Sequence, residues 1–423
     1  MYDDIRTSMY IGIDDTDSKN GMCTTYLAAV LVERLQNYGE VVGHPRLVRL
    51  NPNIRYKTRG NGAIAVQLEE KSGYAARIED VVVRTVEEMA EFDAPNTNPG
   101  IVILDEIPEE VKNFSKRAVQ DIVAIKEAID LAGRYGQVRA FKNGRGVIGA
   151  LAAVGATLEE DHSYELIAYR QRERCGTPRH IDERSAFEAN KATYPLTWDT
   201  VDITNNTIVF SPSSPCPVLF GIRGDDVDAI QKAFEMIRSE PVERHIVFKT
   251  NQGTDAHLMQ GGMTSVKEER SYILGGAVSA PPHTIEGGHV IFSIAENGHK
   301  IDCAAYEPTK NFRDVVRKLC VGDEVTVYGA VKGHTINLEK IEIKSLVECF
   351  VRQNPICKCG KRMKSVGCNQ GYRCKKCGTH AEASEHILID RELDLGLYEV
   401  PPSARRHISK PLIRMSGNVH PSI

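Results

Sequence analysis

The sequence lacks any long apolar run. Of its 423 residues 41% are hydrophobic, yet no stretch approaches the roughly 20 consecutive apolar residues of a membrane span. The first residues, MYDDIRTSMYIGID, are acidic and lack the apolar core of a signal peptide. We therefore expect a cytoplasmic protein without membrane contact, and the length allows two to four domains.

A uniform positive charge is also absent. The net charge of −4 argues against a uniformly basic nucleic-acid binder. Eleven cysteines are too few for a disulfide scaffold of this size, which favours a reducing compartment. The charge is uneven, however, because residues 351–380 hold eight lysines and arginines and no acidic residue. This pattern indicates one local basic module on an acidic body.

The motif G-x-x-x-x-G-K-[ST] is missing, which excludes an ordinary P-loop. Instead, the stretch IGIDDTDSKNGMCTTY places Asp14, Asp15 and Asp17 directly after a short apolar run. Like charges so close together favour a bound cation, and carboxylates are ligands that Mg²⁺ prefers. The next letters, TTYLAAVLVERL, predict a helix over 24–35, so the aspartates occupy a strand-to-helix loop of the kind that holds phosphates. The alternative is an Asp- and Ser-rich turn that caps the helix.

Two glycine-containing loops, KTRGNG and FKNGRGVIG, supply the positively charged side chains that a phosphate site needs in addition to the aspartates. Such loops let backbone N–H groups and basic side chains approach phosphates. Together with the aspartates they predict an ATP site with Mg²⁺ and phosphoryl-transfer chemistry, although each loop alone is equally compatible with a basic surface turn. The predicted phosphate-binding residues are Lys57, Arg59, Gly60, Asn61, Gly62, Lys142 and Arg145.

A dense polar run, FKTNQGTDAH, ends an apolar strand. Strand ends in α/β units collect ligand groups, so Thr250, Gln252, Asp255 and His257 are candidate ligand contacts. The alternative is a polar turn that leads into a linker.

Four sections follow one another along the chain. Residues 263–345 predict three strands, a short helix and two strands, the order of an OB-fold β-barrel; the alternative is another small barrel. Upstream, two βαβ patterns recur within 63–105 and 217–251, as in a ferredoxin-like domain. We therefore predict a multidomain α+β protein with the following parts: an α/β domain (1–59 and 111–203) interleaved with a ferredoxin-like domain (60–110 and 204–262), then the OB-fold (263–345), then a zinc ribbon and C-terminal tail (346–423).

The ribbon is predicted from two cysteine pairs, Cys357-x-Cys359 and Cys374-x-x-Cys377, each followed by glycine. Four thiolates on two tight turns close a tetrahedral zinc site, and four cysteines leave no open position for catalysis, so the zinc is structural. The first pair is one residue shorter than the usual C-x-x-C. The alternatives are four reduced structural cysteines, or a site in which Cys368 replaces one ligand.

Basic side chains surround these cysteines. With Tyr372 among them they suit phosphate contact and base stacking, and the alternative is a solvated basic face. They are Lys358, Lys361, Arg362, Lys364, Arg373, Lys375 and Lys376.

Taken in order, the motifs resemble those of the archaeal tRNA(Ile) 2-agmatinylcytidine synthetase (TiaS) family. They are IGIDDTDS, GMCTT, RLNPNIRYKTRGNG, TNPG, GRGVIGALAA, FKTNQGTDAH and VPPSARRHISKPL, and the resemblance covers nearly the whole chain. It implies a kinase-like N-terminal α/β domain in an ATP-dependent ligase. The family attaches agmatine to the wobble cytidine of the CAU anticodon of isoleucine tRNA. The 2-agmatinylcytidine forms through a phosphorylated cytidine, so that the codon AUA is read.

The resemblance also implies catalytic roles. Asp14, Asp15 and Asp17 would hold Mg²⁺ on ATP. Thr24, by its place in GMCTT, would be the threonine that the enzyme phosphorylates on itself, with Thr25 as the fallback.

Its substrates imply further contacts. The guanidinium of agmatine needs a carboxylate, for which Asp255 is the first candidate and Asp225 the second. Thr250, Gln252 and His257 would complete that pocket. The basic ribbon, with Arg405 and Arg406 of the tail, would contact the tRNA, and no protein partner is indicated.

Two other classes of function fit parts of the sequence. A single-strand-binding protein would use only the barrel and ribbon, and would leave the aspartates unexplained. A different ATP-dependent RNA-modifying kinase would keep the aspartates but need no amine pocket.

Overall fold

Residues before position 160 form the first half of a large β-sheet and the helices that cover it. The structure is a computed structural model, and it describes residues 7–58, 60–71 and 73–422. The strands and helices of this half are, in order, β1 (Thr7–Asp14), α1 (Thr24–Leu35), β2 (Gly39–Val41), β3 (Arg46–Arg49), β4 (Gly62–Glu70), α2 (Ala75–Met89), β5 (Gly100–Leu104), α3 (Glu109–Gln120), α4 (Ile125–Tyr135), β6 (Gly136–Ala140) and α5 (Gly146–Gly155).

The second half of the sheet follows directly in the chain. Its elements are α6 (Glu183–Thr193), α7 (Val227–Met236), and the strands β7 (Ser163–Arg170), β8 (Thr197–Trp198), β9 (Val201–Asp202), β10 (Thr207–Ile208), β11 (Val218–Gly224) and β12 (Val242–Thr250). The main sheet has the order β6-β5-β1-β4-β3-β12-β7-β11-β8, with β2 paired to β4, and β9 pairs with β10 in a separate ribbon. Among the described strands of this main sheet, the β3–β12 pair, which joins the two halves, is the only parallel one.

Each half contains a split βαβ unit. Strand β1 lies between β4 and β5 and is antiparallel to both, and β7 lies in the same way between β11 and β12. Helices α1 and α2 cover one face of the first half, while α3, α4 and α5 cover the other. Helix α5 is apolar on all sides and buried, as expected of a helix enclosed by other elements.

The observed pairing differs from the predicted interleaved domains. Strand β4, inside the predicted ferredoxin-like segment 60–110, pairs with β1 and β3, and β12, inside 204–262, pairs with β7. Those two segments share no strand pair in the part of the chain that the structure describes. The two halves are therefore consecutive, because local patterns specify a βαβ unit but not the strand that inserts into it.

The third section forms a closed five-stranded barrel. Its elements are β13 (Leu258–Gln260), β14 (Ser271–Thr284), β15 (Val290–Glu296), β16 (His299–Ala305), α8 (Phe312–Arg317), β17 (Glu324–Lys332) and β18 (Thr335–Ser345). The ring runs β14-β15-β16-β18-β17 and closes on β14, with β16 and β18 parallel. The order of three strands, a helix and two strands is that expected from the sequence.

The last section is a small ribbon and a tail that returns to the barrel. The ribbon contains β19 (Phe350–Gln353), β20 (Lys364–Ser365), β21 (Tyr372–Arg373), β22 (His380–Ala381) and β23 (Glu385–Leu388), and the tail contains β24 (Gly396–Glu399) and β25 (Val419–His420). Strand β24 extends the barrel by pairing with β18. Between β24 and β25 the chain packs against both the barrel and the large sheet, where Ile408 and Leu412 are buried. Among the described residues, no helix is both long and apolar enough to cross a membrane.

Candidate active site

A cavity of about 600 Å³ opens where the two halves of the sheet meet. One wall is the loop after β1 with the start of α1. A second is the loop between β3 and β4, and a third is the beginning of α5. Further parts of the wall come from β7, β11, the segment 209–214, the stretch 118–125 around the end of α3, and the tail. The cavity thus draws on segments that are far apart in the chain.

The aspartates line this cavity at the end of β1. Asp15 and Asp17 are buried, and Asp15 has a φ of 58°, a strained conformation for a residue with a side chain. Burial, together with the neighbouring Asp15 carboxylate, raises the pKa of Asp14 well above its usual 3.8. Burial also raises the pKa of Asp15, although Arg145 opposes the shift. The site therefore concentrates negative charge where a cation would relieve it.

Helix α5 lies directly against the first aspartate. A Cβ atom added to Gly149 would fall 1.9 Å from Oδ2 of Asp14. Only glycine leaves room for the carboxylate at this point, so the small-residue helix GVIGALAAVG positions the acidic cluster.

Thr24 is the first residue of α1 and lines the cavity beside the aspartates. Its hydroxyl accepts a hydrogen bond from Thr16 at 3.1 Å. The helix N-terminus, where an anion is favoured, has no side-chain cap and lies at the cavity wall. Thr25 is also buried at the cavity wall.

Most of the predicted phosphate-binding residues of the two basic loops line the cavity, but Lys142 does not. Lys57, Gly60, Asn61 and Gly62 line it, as does Arg145, whereas Arg59 lies outside the described residues. Lys142 is absent from the lining, and its Nζ donates to the carbonyl oxygens of Phe92 at 3.0 Å and Ala94 at 2.7 Å. Its observed role is to hold the loop after α2.

The predicted agmatine contacts lie instead at the junction with the barrel and tail. Nζ of Lys340, on β18, donates to Asp255 at 2.7 Å, and Arg414 of the tail donates to Asp225 at 2.7 Å. His257 is buried and contacts Glu339 at 3.1 Å. None of these three predicted residues lines the cavity.

Two further residues of this predicted pocket support the site from behind. Thr250 and Gln252 are fully buried, and the side-chain amide of Gln252 donates to Glu165 at 2.5 Å. The hydroxyl of Thr250 accepts from the backbone N–H of Gln252 at 3.2 Å. The polar run therefore organises a buried carboxylate and does not itself reach the cavity.

Sequence reasoning missed a charged cluster on the opposite wall. Glu165 of β7 contacts Arg223 of β11 at 3.1 Å and Arg49 of β3 at 3.8 Å. All three line the cavity. The signal was present, because Glu165 is a lone acidic residue in the apolar strand SYELIAYR, where a buried charge needs a partner.

The four predicted zinc ligands come together in the ribbon. The sulfur atoms of Cys357, Cys359, Cys374 and Cys377 lie within 4.8 Å of one another. That spacing fits thiolates around one zinc ion with bonds of about 2.3 Å. Cys368 is exposed and outside this group, so the shortened first pair still closes the site.

The basic residues divide into two environments. All seven on the ribbon are exposed. The side chain of Arg405, in contrast, is buried and pairs with Asp199 and Glu399, which argues against the prediction that it contacts tRNA. Arg406 is half-buried and lies 3.4 Å from Glu339. A guanidinium such as that of Arg405, held between internal carboxylates, stabilises the folded structure.

The fold and site define a multidomain α/β protein in which a cavity with acidic and basic walls is joined to a β-barrel and a four-cysteine ribbon. Family models match in three consecutive parts: the TiaS TCKD domain over residues 10–143, the TiaS FLD domain over 144–257, and the TiaS C-terminal zinc ribbon domain over 354–393. The first two models meet between β6 and α5, so that α5, which packs against the first half of the sheet, falls within the second model.

Curated relatives match over nearly the full length. The chain is 52% identical to TiaS, the isoleucine-tRNA 2-agmatinylcytidine synthetase of Methanosarcina mazei, covering 96% of this chain and 97% of that protein. It is 51% identical to the enzyme of the same name from Archaeoglobus fulgidus, with 96% and 98% covered. The chain belongs to the TiaS family.

Solved structures agree. A complex of TiaS with its isoleucine tRNA and ATP matches with a TM-score of 0.92 at 50% identity, covering 99% of this chain and 100% of that one. A complex of TiaS with the same tRNA, AMPCPP and agmatine matches with a TM-score of 0.89 at 46% identity, with the same shares covered.

Proposed function

We propose that the protein uses ATP to attach agmatine to the wobble cytidine of the CAU anticodon of isoleucine tRNA, forming 2-agmatinylcytidine. The observation that carries this proposal is the similarity along nearly the whole chain to TiaS structures with tRNA, ATP or its analogue, and agmatine. The product lets the anticodon read AUA. The enzyme acts in the cytoplasm, where its tRNA is used.

The chemistry requires activation of the cytosine carbonyl. An amine does not readily expel a carbonyl oxygen, whereas it does expel phosphate. The O2 atom of cytosine therefore attacks the γ-phosphorus of ATP and ADP leaves. The amine of agmatine then forms a bond to C2, loses a proton, and inorganic phosphate leaves with the former O2 atom. Both steps place negative charge in the cavity, which its basic wall stabilises.

Residue roles follow from the cavity walls. Asp14, Asp15 and Asp17 fit Mg²⁺, which when bound neutralises phosphate charge. Thr24 is the candidate for self-phosphorylation because it begins α1 beside these carboxylates, and Thr25 stays the fallback. The phosphate contacts are Lys57, Gly60, Asn61, Gly62 and Arg145, and Arg59 is given the same role from its place in KTRGNG.

The agmatine site is reassigned to this cavity. The guanidinium still needs a carboxylate, but Asp255 and Asp225 lie outside the cavity lining, where they pair with cations of the barrel and tail. The carboxylates that line the cavity are those of the aspartate cluster and Glu165. One of these faces the guanidinium, and the amine end faces the cytosine.

The first half of the sheet is the kinase-like domain, the second half is ferredoxin-like, and the barrel is an OB-fold. The parts outside the active site bind the RNA. The ribbon, folded around structural Zn²⁺, presents its basic face to the tRNA backbone. Extracting one base from a single-stranded loop costs a few kcal/mol, and these contacts stabilise the extruded state.

Mass spectrometry of the wobble nucleoside tests the proposal. Purified protein is incubated with ATP, Mg²⁺, agmatine and an isoleucine tRNA transcript bearing CAU. We expect the cytidine to gain the mass of agmatine less water, only when ATP and agmatine are both present, and D15A to abolish the gain. A base that is only phosphorylated indicates an RNA kinase. Binding of tRNA without any change to ATP or base indicates a binding protein.

A further inference from the structure

The tail brings a histidine into the cavity. His407 lines it together with Arg223 and Arg49, although it is separated from β11 by more than 180 residues. The backbone of the tail is fixed at His407 and at the residue that follows it. Gly253 donates to the carbonyl oxygen of His407 at 2.8 Å, and the N–H of Asp255 donates to that of Ile408 at 2.9 Å. The polar run FKTNQGTDAH thus clamps the segment that carries His407.

The contact with Arg223 fixes the tautomer of His407. Nη2 of Arg223 donates to Nδ1 of the ring. A guanidinium has no acceptor, so Nδ1 must be unprotonated and the proton of the neutral ring sits on Nε2. The Cδ2 atom, which neighbours Nε2 in the ring, lies 3.8 Å from a Cβ placed on Gly60. The donor edge of His407 therefore borders the loop between β3 and β4.

The surroundings of the ring are electropositive. Glu165 is shared between Arg223 and Arg49, and Lys57 adds a further cation. His407 is exposed on the cavity surface, and the charge of the Arg223 guanidinium, followed by those of Arg49 and Lys57, holds its pKa well below the usual 6.5. The ring is thus a neutral hydrogen-bond donor at pH 7, in a place where an anion is favoured.

We propose that His407, Arg223 and Arg49 form a phosphate-binding subsite on the wall opposite the aspartates, in which Nε2–H of His407 donates to a phosphoryl oxygen. This inference rests on the proposed function for the source of the phosphate. That source is either the triphosphate of ATP or the RNA backbone next to the extruded cytidine. The tail is then part of the active site, because without it the cavity lacks this donor.

Two substitutions separate the donor from the rest of the side chain. H407N keeps an acceptor near Nδ1 for Arg223 but loses the donor at Nε2, whereas H407Q places an amide donor near the Nε2 position. H420A is the matched control, since His420 lies in the same tail but stacks on Tyr398 away from the cavity. The dissociation constants of the full-length protein for ATP without tRNA, and for the tRNA transcript without ATP, are measured for each variant.

We expect H407N to weaken one of these constants roughly tenfold, the scale of one charge-assisted hydrogen bond, and H407Q to recover most of the loss. A change in the dissociation constant for ATP identifies the triphosphate as the source of the bound phosphate, and a change in the constant for tRNA identifies the RNA backbone. Unchanged constants for both ligands in a folded H407N overturn the inference.

A measurement on the unsubstituted protein covers the case in which H407N does not fold. In protein labelled with ¹⁵N-histidine, the Nε2 resonance of His407 is identified by its loss in H407Q. It should shift on addition of inorganic triphosphate or of a dinucleotide with one phosphodiester, and not with agmatine. No shift with either phosphate probe rejects the subsite. Because these probes do not react, the result is independent of whether 2-agmatinylcytidine forms.

Discussion

Arg145 holds Asp15 at the cavity wall: Nε and Nη2 of the arginine lie 3.0 Å and 2.8 Å from Oδ2 of the aspartate. The two residues are 130 positions apart, one after the first strand and the other just before α5. This two-donor contact joins the acidic and basic motifs into one site and lowers the pKa of Asp15 against the effect of burial, whereas the pKa of Asp14 is raised well above its usual value.

We expect D14N to make the protein more thermostable while abolishing its activity. The folded pKa of Asp14 lies above its unfolded value of 3.8, so the folded state loses stability as pH rises above that value and the carboxylate ionises. Removing the charge should raise the melting temperature at pH 7 and flatten its decline between pH 4 and 8, measured without divalent cations. Product formation should fall on the order of 100-fold or more.

The exposed Asp80 on α2 provides the control. D80N should leave both the melting curve and activity unchanged. A lower melting temperature for D14N at pH 7 would contradict the argument, because it would mean that the ionised carboxylate stabilises the metal-free fold.

A second prediction concerns the contact between α5 and the aspartates. Because a Cβ at position 149 would fall 1.9 Å from Oδ2 of Asp14, G149A must displace either the carboxylate or the helix. We expect a loss of about 1–3 kcal/mol in unfolding free energy and a large drop in the rate of product formation.

Gly133, in α4, is the matched control because a Cβ added there meets nothing within 4 Å. G133A should be neutral or stabilising by up to about 1 kcal/mol, as expected of alanine in a helix. Urea denaturation and single-turnover assays compare the two variants. Full activity in G149A would show that the position of Asp14 is not critical.

The third prediction separates a structural Asp255 from an agmatine-binding one. The ammonium of Lys340 is buried and also donates to Ser409 at 3.2 Å. D255A leaves that charge without its carboxylate, which should cost about 3–5 kcal/mol. The KM for agmatine should stay near that of the unsubstituted enzyme, measured well below the melting temperature.

Replacing both partners is the informative control. The double variant D255A/K340M should recover much of the lost stability, since no buried charge is left unpaired. A stable D255A with a strongly raised KM for agmatine would instead support the original assignment of Asp255 to the amine pocket.

The fourth prediction concerns the ribbon. C374S should remove zinc from the protein and weaken tRNA binding, while the melting of the large sheet persists. The small core formed by Cys357, Met363 and Cys374 is separate from the cores of the sheet and barrel, so its loss should stay local. Metal analysis and tRNA titration test this.

C368S should retain one zinc ion per chain, because Cys368 is exposed and outside the four-sulfur group. Equal loss of zinc in C368S and C374S would assign Cys368 as a ligand.

Local features were predictable because their causes are local. The helix predicted over 24–35 is confirmed as α1, since apolar spacing sets a helix wherever it packs. The strand and helix order of the barrel and the approach of the four cysteines are also observed, because turn residues and short spacings leave few geometries. The strand-to-helix loop that carries the aspartates is another local feature that the sequence predicted.

The sequence by itself therefore determined the elements, the family and the groups that carry charge. Only the tertiary structure decided which charges meet. Asp255 contacts Lys340, 85 positions away, and Asp225 contacts Arg414, 189 positions away. These two residues, predicted to bind agmatine, therefore hold the barrel and the tail in place. Conversely, Glu165, Arg223 and His407 form a cavity wall that no local pattern marks. The physical reason is that a buried charge is stable only beside a partner, and the partner is chosen by long-range packing.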